Sequence, residues 1–231
     1  MLTPARRRGT EILDDPSSDP ALAIRSLRDV ALANALFGGR RAVVQEVRAL
    51  LCVIPPGGRA YSLLDVGTGL GDIPRSAQRV AESLQVPLTT VGVELVPQLA
   101  RAAQPACTHV LAADAMRLPF ADRSIDIVTC SQVLHHFDTP AAEQLLQECT
   151  RVARKVVIIG DLRRSWFAVA GLWTASFLLG FHPVSRHDGV VSVLRGFTRH
   201  ELRALIERAT GRPVMTRGRL GFRVVACWTP A

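Results

Sequence analysis

The sequence predicts an α/β protein, with a mostly parallel sheet covered by helices on both faces. Three observations carry this. From Tyr61 onward, short apolar runs alternate with helical patterns, and such alternation builds parallel sheets buried on both sides. The first run ends in the glycine-rich turn Gly67-Thr68-Gly69-Leu70-Gly71, and the carboxyl end of a strand is where open α/β sheets bind ligands. The last two runs are joined only by Arg217-Gly218-Arg219-Leu220-Gly221, a link suited to an antiparallel hairpin at the sheet edge.

The elements follow in order. Residues 1–18 read as a polar arm carrying Arg6-Arg7-Arg8 and Asp14-Asp15-Pro16-Ser17-Ser18. Asp19-Pro20 is an N-cap with proline at the first helical position, and Gly38-Gly39 stops that helix near Phe37. A second helix runs from about Arg40 to Ile54, with Val43, Val44, Val47, Leu50, Leu51 and Ile54 on one face. Pro55-Pro56-Gly57-Gly58 breaks it. The expected division is an arm and helical cap over 1–58 and a main domain over 59–231. Tyr61–Val66 is a buried strand, Asp72–Leu84 a helix, Leu88–Glu94 a strand and Pro97–Ala103 a short helix. Thr108–Ala113 and Ser124–Cys130 are strands, Pro140–Val152 a helix, and Lys155–Gly160 the fifth strand. Thr198–Ala209 is a helix opened by the capping box Thr198-x-x-Glu201. Val214–Thr216 and Phe222–Trp228 close the chain.

Between the fifth strand and the capped helix lies a helical insertion, about 162–197. Its stretch Ser165–Val184 has no Asp, Glu, Lys or Arg. It is expected as a buried helix or a lid over an apolar pocket. The sharper reading is a surface that dips into a membrane to collect a lipid-like substrate. Asp188-Gly189 reads as a turn in a polar loop.

The 231 residues are 48% hydrophobic and 21% charged, which excludes wholesale disorder. The formal charge is +8, yet Lys155 is the only lysine and aromatics are 5%. Basic residues here are scattered rather than interleaved with stacking aromatics, which argues against a nucleic-acid partner. The five cysteines form no CxxC pair, so neither a disulfide framework nor a zinc site is expected, and no metal is assigned. Four of the cysteines lie in apolar runs and read as small buried hydrophobes. No signal-peptide apolar core follows the N-terminus, so a cytoplasmic location is expected.

The glycine turn is spaced G-x-G-x-G rather than the dinucleotide G-x-G-x-x-G, which shifts weight from NAD to another nucleoside cofactor. Three acids at strand termini join it. Glu94 closes the second strand, where a carboxylate can accept both ribose hydroxyls. Asp114 follows the third, where a carboxylate can accept from an adenine amino group, and Asp126 begins the fourth. Each alone has a plain alternative as a cap or loop residue.

Over about Tyr61 to Gly160 the chain resembles the class I S-adenosylmethionine (SAM)-dependent methyltransferases, in the group of the ubiquinone/menaquinone C-methyltransferases. LLDVGTGLGDIP, VGVELV, AADAMRLPF, SIDIVTCSQVLHHF and KVVIIGD carry the likeness. The flanking regions are similar to small bacterial polyketide and phenol methyltransferases. The resemblance implies a Rossmann-like seven-stranded sheet with its last strand inserted antiparallel. It implies that Gly67, Thr68 and Gly69 wrap the methionine part of SAM. Asp65 would orient that loop or bind the amino group through water. Glu94 would take the ribose diol, Leu95 pack on the adenine, and Asp114 with the Ala115 amide read its edge. Ser131 and Gln132 would face the methionine carboxylate and the sulfonium.

Methyl transfer to a protonated acceptor needs a base, and histidine titrates in the useful range. Of the six histidines, His136 lies beside the expected cofactor pocket, and His187-Asp188 is a second candidate pair. Arg163, Arg164, Trp166 and Trp173 are the expected acceptor-side residues. The expected activity is methylation of a small, largely apolar acceptor (a phenol, quinone precursor or polyketide-derived aromatic), O- favoured over C-methylation, yielding S-adenosylhomocysteine (SAH). That acceptor class belongs to secondary metabolism. The alternatives are a nicotinamide-dependent oxidoreductase and a non-catalytic SAM-binding protein.

Overall fold

The computed structural model describes residues 3–7, 9–15, 18–55 and 57–230. The parts of the sequence readings that fall on Arg8, Pro16, Ser17 and Pro56 lie outside the described residues. Among the described residues seven strands form one sheet: β1 (Tyr61–Val66), β2 (Leu88–Glu94), β3 (His109–Ala112), β4 (Ile125–Ser131), β5 (Ala153–Leu162), β6 (Met215–Arg219) and β7 (Arg223–Trp228). Their order is β3-β2-β1-β4-β5-β7-β6. β1 to β5 pair in parallel. β7 runs antiparallel between β5 and β6, so the closing hairpin sits at the sheet edge and its second strand is the inserted one.

Among the described residues eight α-helices surround the sheet: α1 (Pro20–Leu36), α2 (Gly39–Leu51), α3 (Asp72–Ser83), α4 (Pro97–Ala103), α5 (Thr139–Val152), α6 (Trp166–Leu178), α7 (Pro183–Arg195) and α8 (Arg199–Thr210). One core cluster joins α5 and α8 to one sheet face through Leu145, Leu146, Leu202 and Ile206. The other joins α2 and α3 to the opposite face, where Val43, Val47 and Leu51 meet Leu63, Ile127, Ile158 and Val225. The break after α2 therefore does not separate two cores: α2 is a layer helix of the main sheet. It ends at Leu51 rather than Ile54, and Cys52 just beyond it is exposed, unlike the buried Cys130 and Cys149.

Two further expectations need correction. The apolar segment is not one helix. Gly180 adopts a left-handed φ of 66° after α6, and Pro183 restarts the chain as α7, capped by the His182 side chain on the Val184 amide. Asp188 and Gly189 consequently lie inside α7, not in a turn. Asp126 sits at the amino end of β4, away from the glycine turn. There it takes both terminal nitrogens of Arg59, at 2.6 and 3.0 Å, and a bond from Arg154. It is a clamp, not a ligand group.

α2 approaches β5 closely because β5 carries Gly160. A Cβ at Gly160 would lie 2.4 Å from Val43 Cγ2. Gly160→Ala is therefore expected to cost about 1–3 kcal/mol of stability by overpacking. Val43→Ala in the same chain is expected to recover part of that loss. A double-mutant cycle by denaturant unfolding checks the pair, and strictly additive effects would contradict the contact.

Candidate active site

The carboxyl ends of the parallel strands bring the candidate residues to one edge. After β1 the chain turns through Gly67, Gly69 and Gly71, with φ of 67°, 56° and 72°. A Cβ on Gly67 would stand 2.4 Å from Val133 Cγ2, so both conformation and space require glycine there. The Gly67 and Thr68 amides donate to the Val93 carbonyl of β2 at 2.9 and 3.0 Å. Thr68 is buried and its hydroxyl donates to Asp65 Oδ2 at 2.8 Å, while Thr129 donates to Asp65 Oδ1 at 2.7 Å. Asp65 thus holds the turn from beneath.

Glu94 reaches the same turn. Its carboxylate accepts from the Gly69 amide at 3.1 Å and the Leu95 amide at 3.0 Å, leaving lone pairs for a ligand. Leu95 beside it is 66% exposed. Asp114 accepts from the Met116 amide at 2.9 Å, and Ala115 packs on the core. Ser131 ends β4. Gln132 follows in a left-handed conformation, φ 58°, and its side chain donates to Asn34 of α1 at 2.5 Å.

This edge is acidic and partly buried. Burial pushes the Asp65 carboxyl up to about 7, against the hydrogen bonds of Thr129 and Thr68 and with the nearby charges of Asp72 and Glu94 adding to it. Burial also raises Asp72 and Glu94. Asp72 Oδ2 is buried and, among the described residues, without a hydrogen-bond partner. A glycine-lined turn with three such carboxylates fits a ligand bearing a cationic end and a diol.

Beyond Gln132 opens a cavity of about 410 Å³. Its walls are largely apolar: Leu27, Val30 and Phe37 around α1, Phe167 and Leu172 of α6, with Phe181, Val193 and Phe222. Among its polar lining residues, Glu11, His135 and His136 gather into one polar spot. His135 is 4% exposed. Its Nδ1 bonds Asp161 Oδ1 at 2.7 Å, and its backbone amide donates to Asp161 Oδ2 at 3.2 Å. Its Nε2 is buried and, among the described residues, has no hydrogen-bond partner; it lies 3.9 Å from Glu11 Oε1. Burial opposes charge on Asp161, but His135 and the Leu162 amide outweigh it and hold its pKa below the usual range. His136 Nδ1 bonds Asp14 Oδ1 at 2.9 Å. Burial works against its protonation, yet Asp14, Glu11 and Asp161 raise its pKa.

The donor atoms of Glu11, His135 and His136 lie within 4.8 Å of one another, a set that could hold a divalent cation. Arg195 already brings positive charge there, 3.1 Å from Glu11 Oε1 and 2.7 Å from Asp14 Oδ2.

Several expected residues lie elsewhere. His187 does bond Asp188, at 2.8 Å. Asp188 does line the cavity, though both its oxygens also accept arm amides, from Ile12 and Leu13, whereas His187 is outside the lining. Asp188 thereby anchors the arm to α7. Arg164 is 5% exposed, paired with Glu201 at 2.7 Å and bonded to the Pro4 and Gly196 carbonyls. Its donors are consumed structurally. Arg163 lies over the Phe222 ring. Trp166 and Trp173 are exposed on α6 and outside the cavity lining. Phe167, Phe181 and Phe222 provide its aromatic wall instead. Sequence reasoning missed Glu11, Asp14, Asn34, Arg195 and the buried role of His135. Asp161, at a strand's carboxyl end, offered the one signal toward it.

Residues 64–159 match the family model described as a methyltransferase domain. No curated protein matches the chain. Among solved structures it is similar to a SAM-dependent methyltransferase from Aquifex aeolicus, with 15% identity, a TM-score of 0.61, and 93% of this chain and 100% of that chain covered. It is similar to the magnesium protoporphyrin IX methyltransferase of Synechocystis PCC 6803 with bound SAM: 13% identity, TM-score 0.57, covering 94% and 100%. It is also similar to the CMeT domain of the citrinin polyketide synthase: 13% identity, TM-score 0.59, covering 81% and 52%. At these identities the likeness is one of fold.

The buried Asp65 makes stability pH-dependent. The folded state keeps this proton up to about pH 7, whereas an unfolded chain releases it near the ordinary carboxylate value of 3.8. The group's contribution is therefore fully present in acid and is lost as pH rises through about 7. Thermal unfolding of Asp65→Asn against the parent should show the variant gaining relative stability over that window. Parallel curves would contradict the placement.

Proposed function

We propose that this chain, a class I SAM-dependent methyltransferase, methylates a hydroxyl group of a small, largely apolar acceptor such as a phenol, quinone precursor or polyketide-derived aromatic. One observation carries the reading. The glycine turn with Glu94 abuts an apolar cavity whose polar spot presents a buried histidine nitrogen without a hydrogen-bond partner among the described residues. SAM, when bound, supplies an electrophilic methyl on a sulfonium that leaves as a neutral thioether. No acid is then needed for the leaving group, and the protein's tasks are alignment, exclusion of water and removal of one proton.

The cofactor side rests on Gly67, Thr68, Gly69, Glu94, Leu95, Asp114 and Ala115, with Ser131 and Gln132 where the cradle meets the cavity. On the acceptor side, His135 is the base. An ionised Asp161 only accepts, so His135 Nδ1 donates to it and the neutral ring keeps its lone pair on Nε2. Once Nε2 takes the acceptor's proton, Asp161 and Glu11 stabilise the imidazolium. His136, held by Asp14, borders the same spot. C-methylation of a phenol ring would use the same deprotonation. A cytoplasmic role in secondary metabolism suits this acceptor class. Among the described residues no helix is long and apolar enough to cross a membrane.

His135→Gln and Asp161→Asn should lower kcat by about 10²–10⁴ with SAH affinity unchanged in calorimetry. Retained kcat would remove His135 as the base. Glu94→Ala should weaken SAM and SAH alike by about 10–100-fold, since a charged acceptor is worth about 1.5–3 kcal/mol. Unchanged affinity would refute the ribose assignment.

A further inference from the structure

Helix α6 is apolar yet poorly covered. Of its residues Trp166–Leu178, Ser176 alone is buried, while Trp166, Phe167, Trp173, Phe177 and Leu178 are exposed, Leu178 at 83%. A helix apolar on all sides is normally enclosed, and an exposed apolar patch marks an interaction surface. Trp173 and Phe177 pack edge to face at 5.0 Å, and the Arg186 guanidinium lies 4.3 Å over Phe177. No Asp or Glu occurs from 162 to 187, whereas Arg163 and Arg186 do. Aromatic residues rimmed by cations match the boundary of an anionic bilayer. A two-fold contact with a second copy would set the same cationic rim against itself. At about 1.5 Å per residue, α6 is about 20 Å long, too short for a core of about 30 Å. It would therefore lie in the membrane plane.

The inner side of the same helix lines the cavity through Phe167, Ala168, Gly171 and Leu172. We propose that α6 seats the enzyme on an anionic lipid surface, and that the acceptor is an amphiphile passing from the bilayer past α6 to His135. This rests on the acceptor reading above and narrows it to hydroxylated aromatics with a long apolar chain.

The test is co-sedimentation of the full chain with phosphatidylcholine vesicles, with and without phosphatidylglycerol, together with tryptophan emission. Trp228 is buried, so a blue shift on vesicle addition reports Trp166 and Trp173. Binding should favour the anionic vesicles and weaken with salt. W173S/F177S should reduce partitioning by about tenfold or more and abolish the shift. SAH binding, measured on the same samples, should be unchanged. Absence of sedimentation with either vesicle, or sedimentation indifferent to the double substitution, would overturn the proposal. So would a stable dimer that the substitution dissolves, which would assign the face to a second copy. If SAH binding is lost in the parent chain, the cofactor reading fails independently of the membrane result.

Discussion

Parallel pairing of β1 through β5 is the constraint on which the site depends. Each strand leaves the sheet at the same edge, so the glycine turn, Glu94, Asp114, Gln132 and Asp161 converge although they span nearly a hundred residues. Each then secures a neighbour. Glu94 holds Gly69, Gln132 bonds the Gly160 carbonyl through its amide, and Asp161 fixes His135. The glycine turn and the proposed base His135 are therefore positioned by rigid elements rather than by loops alone. The N-terminal arm and the α6–α7 pair complete the cavity over that edge, with Glu11 and Asp14 reaching Arg195 and His136.

Most of this frame was legible in the sequence because it is periodic. β-branched runs, the capping box at Thr198 and the proline at Pro20 signal elements locally, without reference to partners. The glycine turn and Glu94 were legible for a similar reason: position at a strand end determines which edge they face. What could not be read is what depends on long-range contact. Asp126 looks like its fellow acids until strand polarity places it at the far edge beside Arg59. Asp188 looks like a turn residue until Pro183 starts a helix through it. Arg164 carries a charge that promises a ligand, yet it is spent on Glu201 inside the fold. Glu11 and Asp14 sit in an arm with no periodicity, so nothing local announced their place beside His136.

The positive charge also acquires a physical account. Arg59, Arg151, Arg195 and the pair Arg217 and Arg219 are each engaged with carboxylates: Asp126, Glu148, Glu11 and Glu46 respectively. They brace elements of the fold against one another. Arginine suits this work because its planar fork keeps its charge when buried and meets carboxylates in two places.

The same sheet architecture also serves nicotinamide enzymes, so fold alone does not choose the cofactor. The choice here rests on the Gly67–Gly71 spacing, the Glu94 carboxylate at the turn and the acidic surroundings, which favour a cationic sulfonium over a pyrophosphate. Calorimetric titration of the full chain with SAH, and separately with NADH, tests that claim most directly. Saturable one-to-one binding of SAH and none of NADH is expected. Binding of NADH, or no binding of SAH at millimolar ligand, would contradict it.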